Sequence, residues 1–180
     1  MKRSISITVI LLLSLFANSD LFSQNRFSVG VVGSWFNNSS QNNRISEINN
    51  PSGYGIILGY SFNKNLTLAF TGEYLSGNME NISGNEKDLR THLSLYLTPF
   101  VFNKIRPYFS MGIVLTNRKF EYSITNPTET KTKLNGRVGV GIDYALFNNI
   151  GLNADLGFYN DGYNFVGMTS SIGLRYNFNL

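Results

Sequence analysis

The chain has 180 residues, enough for one domain, and a formal net charge of +4 at pH 7. It has no cysteine and one histidine, which excludes disulfide scaffolds, thiolate or multi-histidine metal sites and cysteine nucleophiles. Only 14% of its residues are charged, against about 25% in an ordinary soluble domain, and another 14% are aromatic, which argues against disorder.

The first 23 residues have the pattern of a secretory signal peptide. Lys2 and Arg3 form a basic start, residues 5–16 are largely apolar, and small polar residues follow. An apolar run of this length is too short for a membrane-spanning helix, which needs about 20 residues. Cleavage is expected after Ser23, which removes two bases and one acid and leaves a net charge of +3. That charge is too small to indicate nucleic-acid binding. The chain therefore divides into a signal peptide (1–23) and an exported domain (24–180).

Eight stretches of the exported domain alternate apolar residues with small or polar ones, a pattern typical of β-strands with one apolar face. In chain order the apolar faces begin at Phe27, Tyr54, Leu66, Leu93, Phe109, Leu134, Ile150 and Met168. No stretch repeats its apolar residues convincingly at helical spacing, and the four prolines lie in connections or at strand starts. The sequence therefore predicts an all-β domain.

The opposite faces of these strands are small and polar. Strand eight, for example, presents Gly167, Thr169, Ser171, Gly173, Arg175 and Asn177. The exposed face of a soluble barrel is usually rich in Lys and Glu, whereas the interior of a small membrane barrel is crowded and polar. We therefore expect the apolar faces to meet lipid and the polar faces to line a lumen.

The predicted connections alternate between long and short, over residues 37–52, 63–65, 77–89, 99–105, 117–133, 147–149 and 160–165. Outer-membrane barrels alternate long external loops with short periplasmic turns in this way. Aromatic residues also gather near the strand ends, with Trp35 and Tyr54 toward the long-loop (outer) end and Tyr144 and Phe178 toward the short-turn (inner) end. Together these patterns predict an eight-stranded antiparallel up-and-down transmembrane β-barrel.

The last strand has the order polar, any, Gly, any, any, apolar, any, apolar over residues 171–178, with Gly173, Tyr176 and Phe178 at its defining positions. This order resembles the C-terminal signal that assembly machinery reads in outer-membrane barrels, although Asn179 and Leu180 follow it. With the signal peptide and the strand pattern, residues 24–180 resemble the small OmpA/OmpX-like outer-membrane β-barrel domain family. The resemblance implies a protein of the cell outer membrane, in contact with lipid and lipopolysaccharide and inserted by the barrel-assembly machinery. We expect it to be a monomer.

Five charged residues fall on the predicted lumen face: Glu73, Arg137, Asp143, Asp155 and Arg175. Eight strands enclose a space that side chains fill, and burying an isolated charge is costly. We expect a structural ion-pair network that plugs the lumen, in which Asp155 has a base on either side. Arg26 and His92 are candidates to join its ends. The alternative is a narrow ion path, against which a side-chain-filled barrel of this size argues.

His92 and Ser94 lie two residues apart on one strand face, where a histidine base could activate a serine hydroxyl. Outer-membrane lipid A deacylases are eight-stranded barrels with a His-x-Ser motif, so the chain resembles them at these two positions. It departs from them in having no following Asn and no convincing acidic partner for His92. Leu93 is expected to face lipid, which turns the side chains of His92 and Ser94 into the lumen.

Residues 33–35 are similar to the Gly-x-Trp of lipocalins. The interior of a lipocalin is apolar, whereas the predicted interior of this barrel is polar.

We therefore expect no catalytic residue, no cofactor site and no metal site. The predicted function is that of a non-enzymatic outer-membrane barrel with a plugged polar lumen and long surface loops, acting in envelope integrity, adhesion or surface binding. The alternative is a small outer-membrane lipid-modifying enzyme or a lipocalin-like lipid-binding barrel. The predicted loops carry no ligand-specific motif, so the sequence leaves their partner open.

Overall fold

The computed structural model describes residues 26–38, 51–78, 84–122, 128–147, 149–160 and 165–179; the predicted signal peptide lies outside them. Its strands are β1 (Arg26–Asn38), β2 (Ser52–Ser61), β3 (Leu66–Asn78), β4 (Gly84–Leu97), β5 (Ile105–Tyr122), β6 (Thr128–Ala145), β7 (Ile150–Asn160) and β8 (Phe165–Asn179). Each strand pairs antiparallel with the next, and β8 pairs with β1 to close the barrel. The predicted eight-stranded antiparallel barrel is therefore confirmed. None of the described residues forms a helix that could cross a membrane.

Strict alternation along the strands separates an apolar outer surface from a polar lumen. In β7, Leu156 and Phe158 are exposed while Asp155 and Tyr159 beside them are buried. Because the side-chain period of a strand is two, a register slip of one residue would exchange the two faces completely. Exposed apolar side chains surround the barrel on every strand, which forms the belt that a lipid bilayer covers.

Aromatic rings lie at both ends of this apolar belt. Near the outer end, Trp35 is 53% exposed, and the rings of Tyr54 and Tyr74 pack with centroids 6.2 Å apart across β2 and β3. Near the inner end, the rings of Phe27 and Phe178 lie 6.0 Å apart across the β1–β8 seam. Amphipathic and aromatic rings of this kind are favoured at the level of the lipid headgroups.

Two outer connections are shorter than the sequence predicted. Residues 77–89 and 117–133 were expected to form loops, but β3 reaches Asn78 and β4 begins at Gly84, while β5 reaches Tyr122 and β6 begins at Thr128. Backbone pairing continues through this region of both hairpins. Beyond the apolar belt the outward face of each strand meets water instead of lipid, so the apolar residues that reveal a strand in the sequence end before the strand does. We call these parts of β3–β6 the outer extensions.

The inner turns are short. The turn between β4 and β5 spans residues 98–104, and Phe102 and Ile105 exchange backbone hydrogen bonds of 2.8 and 2.9 Å there. Asn103 has a φ of 50°, a left-handed conformation that asparagine adopts more readily than most residues. Residues 100–102 consequently belong to the turn and extend neither strand.

Candidate functional site

The lumen collects the polar side chains, because every second residue of each strand points inward. Of the five charged residues predicted there, Glu73, Arg137, Asp155 and Arg175 are buried. The side chain of Asp143 is 29% exposed, since it lies near the inner end.

Arg137 and Asp155 form an ion pair at the centre of the barrel. Arg137 Nη2 donates a hydrogen bond to Asp155 Oδ1, and Arg137 Nη1 donates to Ser110 Oγ at 2.9 Å. The Tyr108 hydroxyl donates to Asp155 Oδ2 at 3.1 Å and accepts a bond of 2.7 Å from Asn153 Nδ2. The pair is thus held by neutral partners on both sides, as buried charges require.

Glycines on β6 and β7 make room for the two largest side chains of this group. A Cβ at Gly157 would lie 2.6 Å from Arg137 Nε, and a Cβ at Gly141 would lie 2.3 Å from the Tyr108 hydroxyl. These positions tolerate no side chain while Arg137 and Tyr108 keep their places. The small residues of the polar strand faces are therefore part of the lumen packing.

His92 has an acidic partner, contrary to the sequence-based expectation. His92 Nε2 lies 3.0 Å from Glu73 Oε2, and Ser34 Oγ donates to Glu73 Oε1 at 2.7 Å. The expectation was wrong because the partner comes from the neighbouring strand, where Thr71 rather than Glu73 stands directly opposite His92. Ser94 is also buried, so an acid, a histidine and a serine all lie inside the lumen.

Arg175 pairs with Asp143 and not with Asp155. Arg175 Nη1 lies 3.5 Å from Asp143 Oδ2, and Asn153 Nδ2 donates to Asp143 Oδ1 at 2.8 Å. The predicted position of Asp155 between two bases is wrong, because Asp155 stands opposite Ser171, four residues along β8 from Arg175. Arg26 lies at the inner mouth, where it forms no ion pair with any residue that the structure describes.

A second group of charges, mostly buried and missed by the sequence reasoning, lies toward the outer end of the lumen. This outer cluster consists of Glu86, Asp88, Arg90 and Arg118. Arg118 donates to both oxygens of Asp88, from Nε at 2.9 Å and from Nη2 at 3.1 Å, and its Nε lies 2.7 Å from Glu86 Oε1. Arg90 Nη2 donates to Asp88 Oδ2 at 2.7 Å. Residues 86, 88, 90 and 92 continue the lumen-facing parity of β4, and that alternation was the available signal.

The acids and bases of the outer cluster differ in their surroundings. The guanidinium of Arg90 lies 3.9 Å from the centroid of the Phe36 ring, a cation–π contact. Glu86 lies beyond the apolar belt and is 1% exposed. Burial raises the pKa of Glu86 to about 8, since the nearby Arg118 opposes the shift only in part and the charge of Asp88 adds to it.

Aromatic rings and a small cavity lie among the charged groups of the lumen. Tyr96 and Tyr108 stack with centroids 4.8 Å apart and an interplanar angle of 5°. Phe36 and Tyr159 pack edge to face at 5.7 Å. Between these layers remains a cavity of about 20 Å³, room for a single water molecule. A larger cavity of about 160 Å³ opens at the inner mouth.

The predicted assembly residues lie on the seam strand β8. The side chains of Tyr176 and Phe178 face outward and are each 41% exposed. Gly173 lies against β1, where a Cβ would approach the carbonyl oxygen of Val31 to 2.5 Å. Tyr176 and Phe178 also pack edge to face, with centroids 4.8 Å apart. The two aromatic residues therefore form one outward-facing patch beside the seam.

Within the described ranges, no three His, Cys, Asp or Glu side chains are grouped so that they could hold a metal ion. The one acid–histidine contact and its neighbouring serine are buried between aromatic layers.

Comparisons with known proteins agree with this architecture. Residues 8–178 match the family model of the outer membrane protein beta-barrel domain. Among solved structures, the N-terminal β-barrel domain of Pseudomonas aeruginosa OprF is 19% identical, with a TM-score of 0.58 over 86% of this chain and 98% of that one. Ail, the attachment invasion locus protein of Yersinia pestis, is 17% identical, with a TM-score of 0.59 over 86% and 98%. Neisserial surface protein A is also 17% identical, with a TM-score of 0.59 over 86% and 97%.

No curated protein matches the chain. The family model nevertheless covers almost its whole length, and its strand order, apolar belt and polar lumen are those of a small membrane barrel. The chain belongs to the family of outer membrane protein beta-barrel domains, and its place is the cell outer membrane.

Proposed function

We propose that the protein is a non-enzymatic, monomeric barrel whose lumen is plugged by its own side chains and whose outer extensions provide a surface for adhesion or binding at the envelope. The observation that supports the proposal is the set of side-chain contacts inside the lumen. The stacked Tyr96 and Tyr108 rings lie beside the Arg137–Asp155 pair, and the outer cluster lies toward the outer end. The cavity left between them holds about one water.

The outer extensions supply the proposed binding surface. Lys119 and Lys133 are exposed on the β5–β6 hairpin, and Lys87 Nζ and Lys119 Nζ both contact Glu121, at 2.7 and 2.9 Å. A basic surface just above the apolar belt suits the anionic groups of lipopolysaccharide and other acidic glycans. Ail, which shares the fold, has been solved in complex with the heparin analogue sucrose octasulfate, and this supports the same class of ligand here.

Planar-bilayer recording of the purified protein tests the plugged lumen. We expect no large, stable open conductance, because the Arg137–Asp155 pair and the stacked Tyr96 and Tyr108 rings occupy the lumen. A Tyr96→Ala/Tyr108→Ala variant, which removes the stacked rings, serves as the control and should admit more current than the parent. Large stable conductance steps from the parent protein would refute the proposal.

The enzyme alternative has one specific observation in its favour, the 3.0 Å contact between His92 and Glu73 on the same strand face as Ser94. These side chains lie inside the lumen, where acyl chains of membrane lipid do not reach them. Mass spectra of lipid A from cells that produce the parent or Ser94→Ala should therefore be identical. Acyl-chain loss with the parent but not with Ser94→Ala would establish the enzyme and overturn the non-enzymatic proposal.

A lipid-binding barrel fits the structure less well. A lipocalin-like site needs an apolar cavity of several hundred cubic ångströms, whereas the centre of this lumen is lined by charged and polar groups such as Glu73, His92 and Arg137.

The assembly signal around Gly173, Tyr176 and Phe178 is proposed to engage the barrel-assembly machinery, because the two aromatic side chains face outward beside the seam.

A further inference from the structure

The inner mouth of the barrel contains a cavity with an unusual charge distribution. This inner vestibule has a volume of about 160 Å³. It is formed by residues at the inner ends of the strands and in the adjoining turns. Its charged lining residues are Arg26, Lys64, Lys104, Arg106, Arg175 and Asp143. Five bases and one acid leave a net charge of four positive units around a space several times larger than one water molecule needs.

Arg175, in the wall of the vestibule, has hydrogen-bond donors without partners among the described residues. Arg175 is 7% exposed and approaches Asp143 through Nη1. Its Nε and Nη2 are shielded from water and have no hydrogen-bond partner among the described residues. These two nitrogens lie on the edge of the guanidinium that can bind two oxygens of a carboxylate or phosphate at once, and here protein atoms cover that edge. Buried donors without partners are rare in folded proteins and call for a partner.

The turns add cations from a second direction. Lys64 lies between β2 and β3, and Lys104 lies between β4 and β5; both are exposed. Arg106 stands opposite Asp143 in the β5–β6 register, yet no ion pair joins the two among the described contacts. Asp143 is thus the one acid of the described vestibule lining, and it is already engaged by Arg175 and Asn153.

We propose that the inner vestibule is a binding site for a phosphate group, with Arg175 as its deepest ligand and Arg26, Lys64, Lys104 and Arg106 around its opening. A dianionic phosphate monoester neutralises more of the four excess charges than a single carboxylate does. The cations of the turns add to the positive potential at the opening, which attracts such a dianion. The site is independent of the outer extensions and of the proposed surface function.

Inorganic phosphate is the first probe. Protein with isotope-labelled arginine, folded in uncharged detergent micelles, is titrated at constant ionic strength while the Nε–Hε resonances are followed by NMR. We expect saturable shifts for Arg175 and Arg106 with a dissociation constant of about 1 mM. The resonances of Arg90 and Arg118, in the outer cluster, should stay unchanged. The proposal would be overturned if the Arg175 resonance showed no saturable shift with inorganic phosphate and none with phosphatidic acid.

A matched pair of variants separates the site from general charge effects. Lys104→Gln/Arg106→Gln should weaken phosphate binding about tenfold, which corresponds to about 1.4 kcal/mol. Lys131→Gln/Lys133→Gln removes the same charge from the outer extension of β6 and should leave the affinity within about twofold. Equal effects of the two pairs would mean that no local site exists. Lys64→Gln, in an exposed turn, provides a third variant if the first pair folds poorly.

Two sources could supply the phosphate, and lipid bicelles distinguish them. In phosphatidylcholine bicelles, inorganic phosphate in solution should shift Arg175 if the natural ligand is a soluble phosphate compound. In bicelles that contain phosphatidic acid, a shift without added phosphate would identify a lipid headgroup as the source. Either response supports the phosphate site, and the absence of both refutes it.

Discussion

Replacing Arg137 by Met should destabilise the barrel strongly. The substitution keeps most of the side-chain volume but leaves Asp155 buried without its cation, which typically reduces the free energy of unfolding by about 3–5 kcal/mol. The hydrogen bond from Arg137 to Ser110 is lost as well, whereas the small central cavity can bring one water to Asp155. We therefore expect a loss of about 3 kcal/mol.

A second substitution tests whether the loss comes from the unpaired acid. Adding Asp155→Asn to Arg137→Met should recover about 1–3 kcal/mol, the usual coupling energy of contacting residues. Adding Asp155→Asn to Arg175→Met should recover clearly less, because Arg175 contacts Asp143 and reaches Asp155 only through Asn153 and Tyr108. Additivity in the Arg137 pair, or equal recovery in both pairs, would refute the assigned partners.

Urea unfolding in lipid vesicles provides the measurement. Trp35 is the chain's single tryptophan. It is exposed on the outer surface, among the aromatic side chains at the outer end of the barrel. Its fluorescence should move to longer wavelength when the barrel leaves the bilayer. Because Trp35 lies outside the lumen, substitutions at Arg137 and Asp155 leave the reporter unchanged.

Three other predictions concern the seam, the inner ion pair and the outer cluster. Changing Tyr176 and Phe178 together to Ser should lower the amount of folded protein in outer-membrane fractions and leave unfolded protein in the periplasm; unchanged assembly would contradict the proposed signal. In urea titrations, Arg175→Met should lower stability by about 1–3 kcal/mol, and Lys131→Met, which lies in β6 rather than in the loop expected there, by no more than about 0.5 kcal/mol. The pKa of Glu86 rises from 4.5 to about 8 on folding, so its contribution to stability is complete below pH 4.5 and is lost as pH rises through 8. Glu86→Gln, which cannot ionise, should flatten that part of the pH–stability curve and stabilise the barrel at pH values above 8.

The strand number and the two faces of each strand could be predicted from the sequence because lipid and lumen impose opposite polarity on successive residues. The side chains of Leu156 and Arg137 face the sides expected for them. The outer extensions could not be found in this way. Around Lys119 and Thr130, which pair in β5–β6, the outward face meets water, and no apolar period marks the strands.

Partners inside the lumen were harder to predict than the faces. Which charges meet depends on how far neighbouring strands are staggered along the barrel axis, and alternation alone carries no information on stagger. For that reason His92 was expected to have no acid, although Glu73 lies 3.0 Å away. Arg175 was likewise expected to pair with Asp155. In the β7–β8 register Asp155 stands opposite Ser171, four residues from Arg175, and Arg175 contacts Asp143 instead.

The β1–β8 seam determines when this barrel can close during assembly. Every other strand pair joins neighbours in the sequence, but the seam joins Arg26 to Asn179. Closing a loop of that length costs about 4 kcal/mol of chain entropy, and the compensating ladder of paired residues from Arg26 to Asn38 forms only with β8. Before β8 pairs with β1, the assembling sheet has two unpaired edges, which are prone to pair with other chains. Its exposure to aggregation is therefore greatest just before the fifteen residues of β8 close the seam.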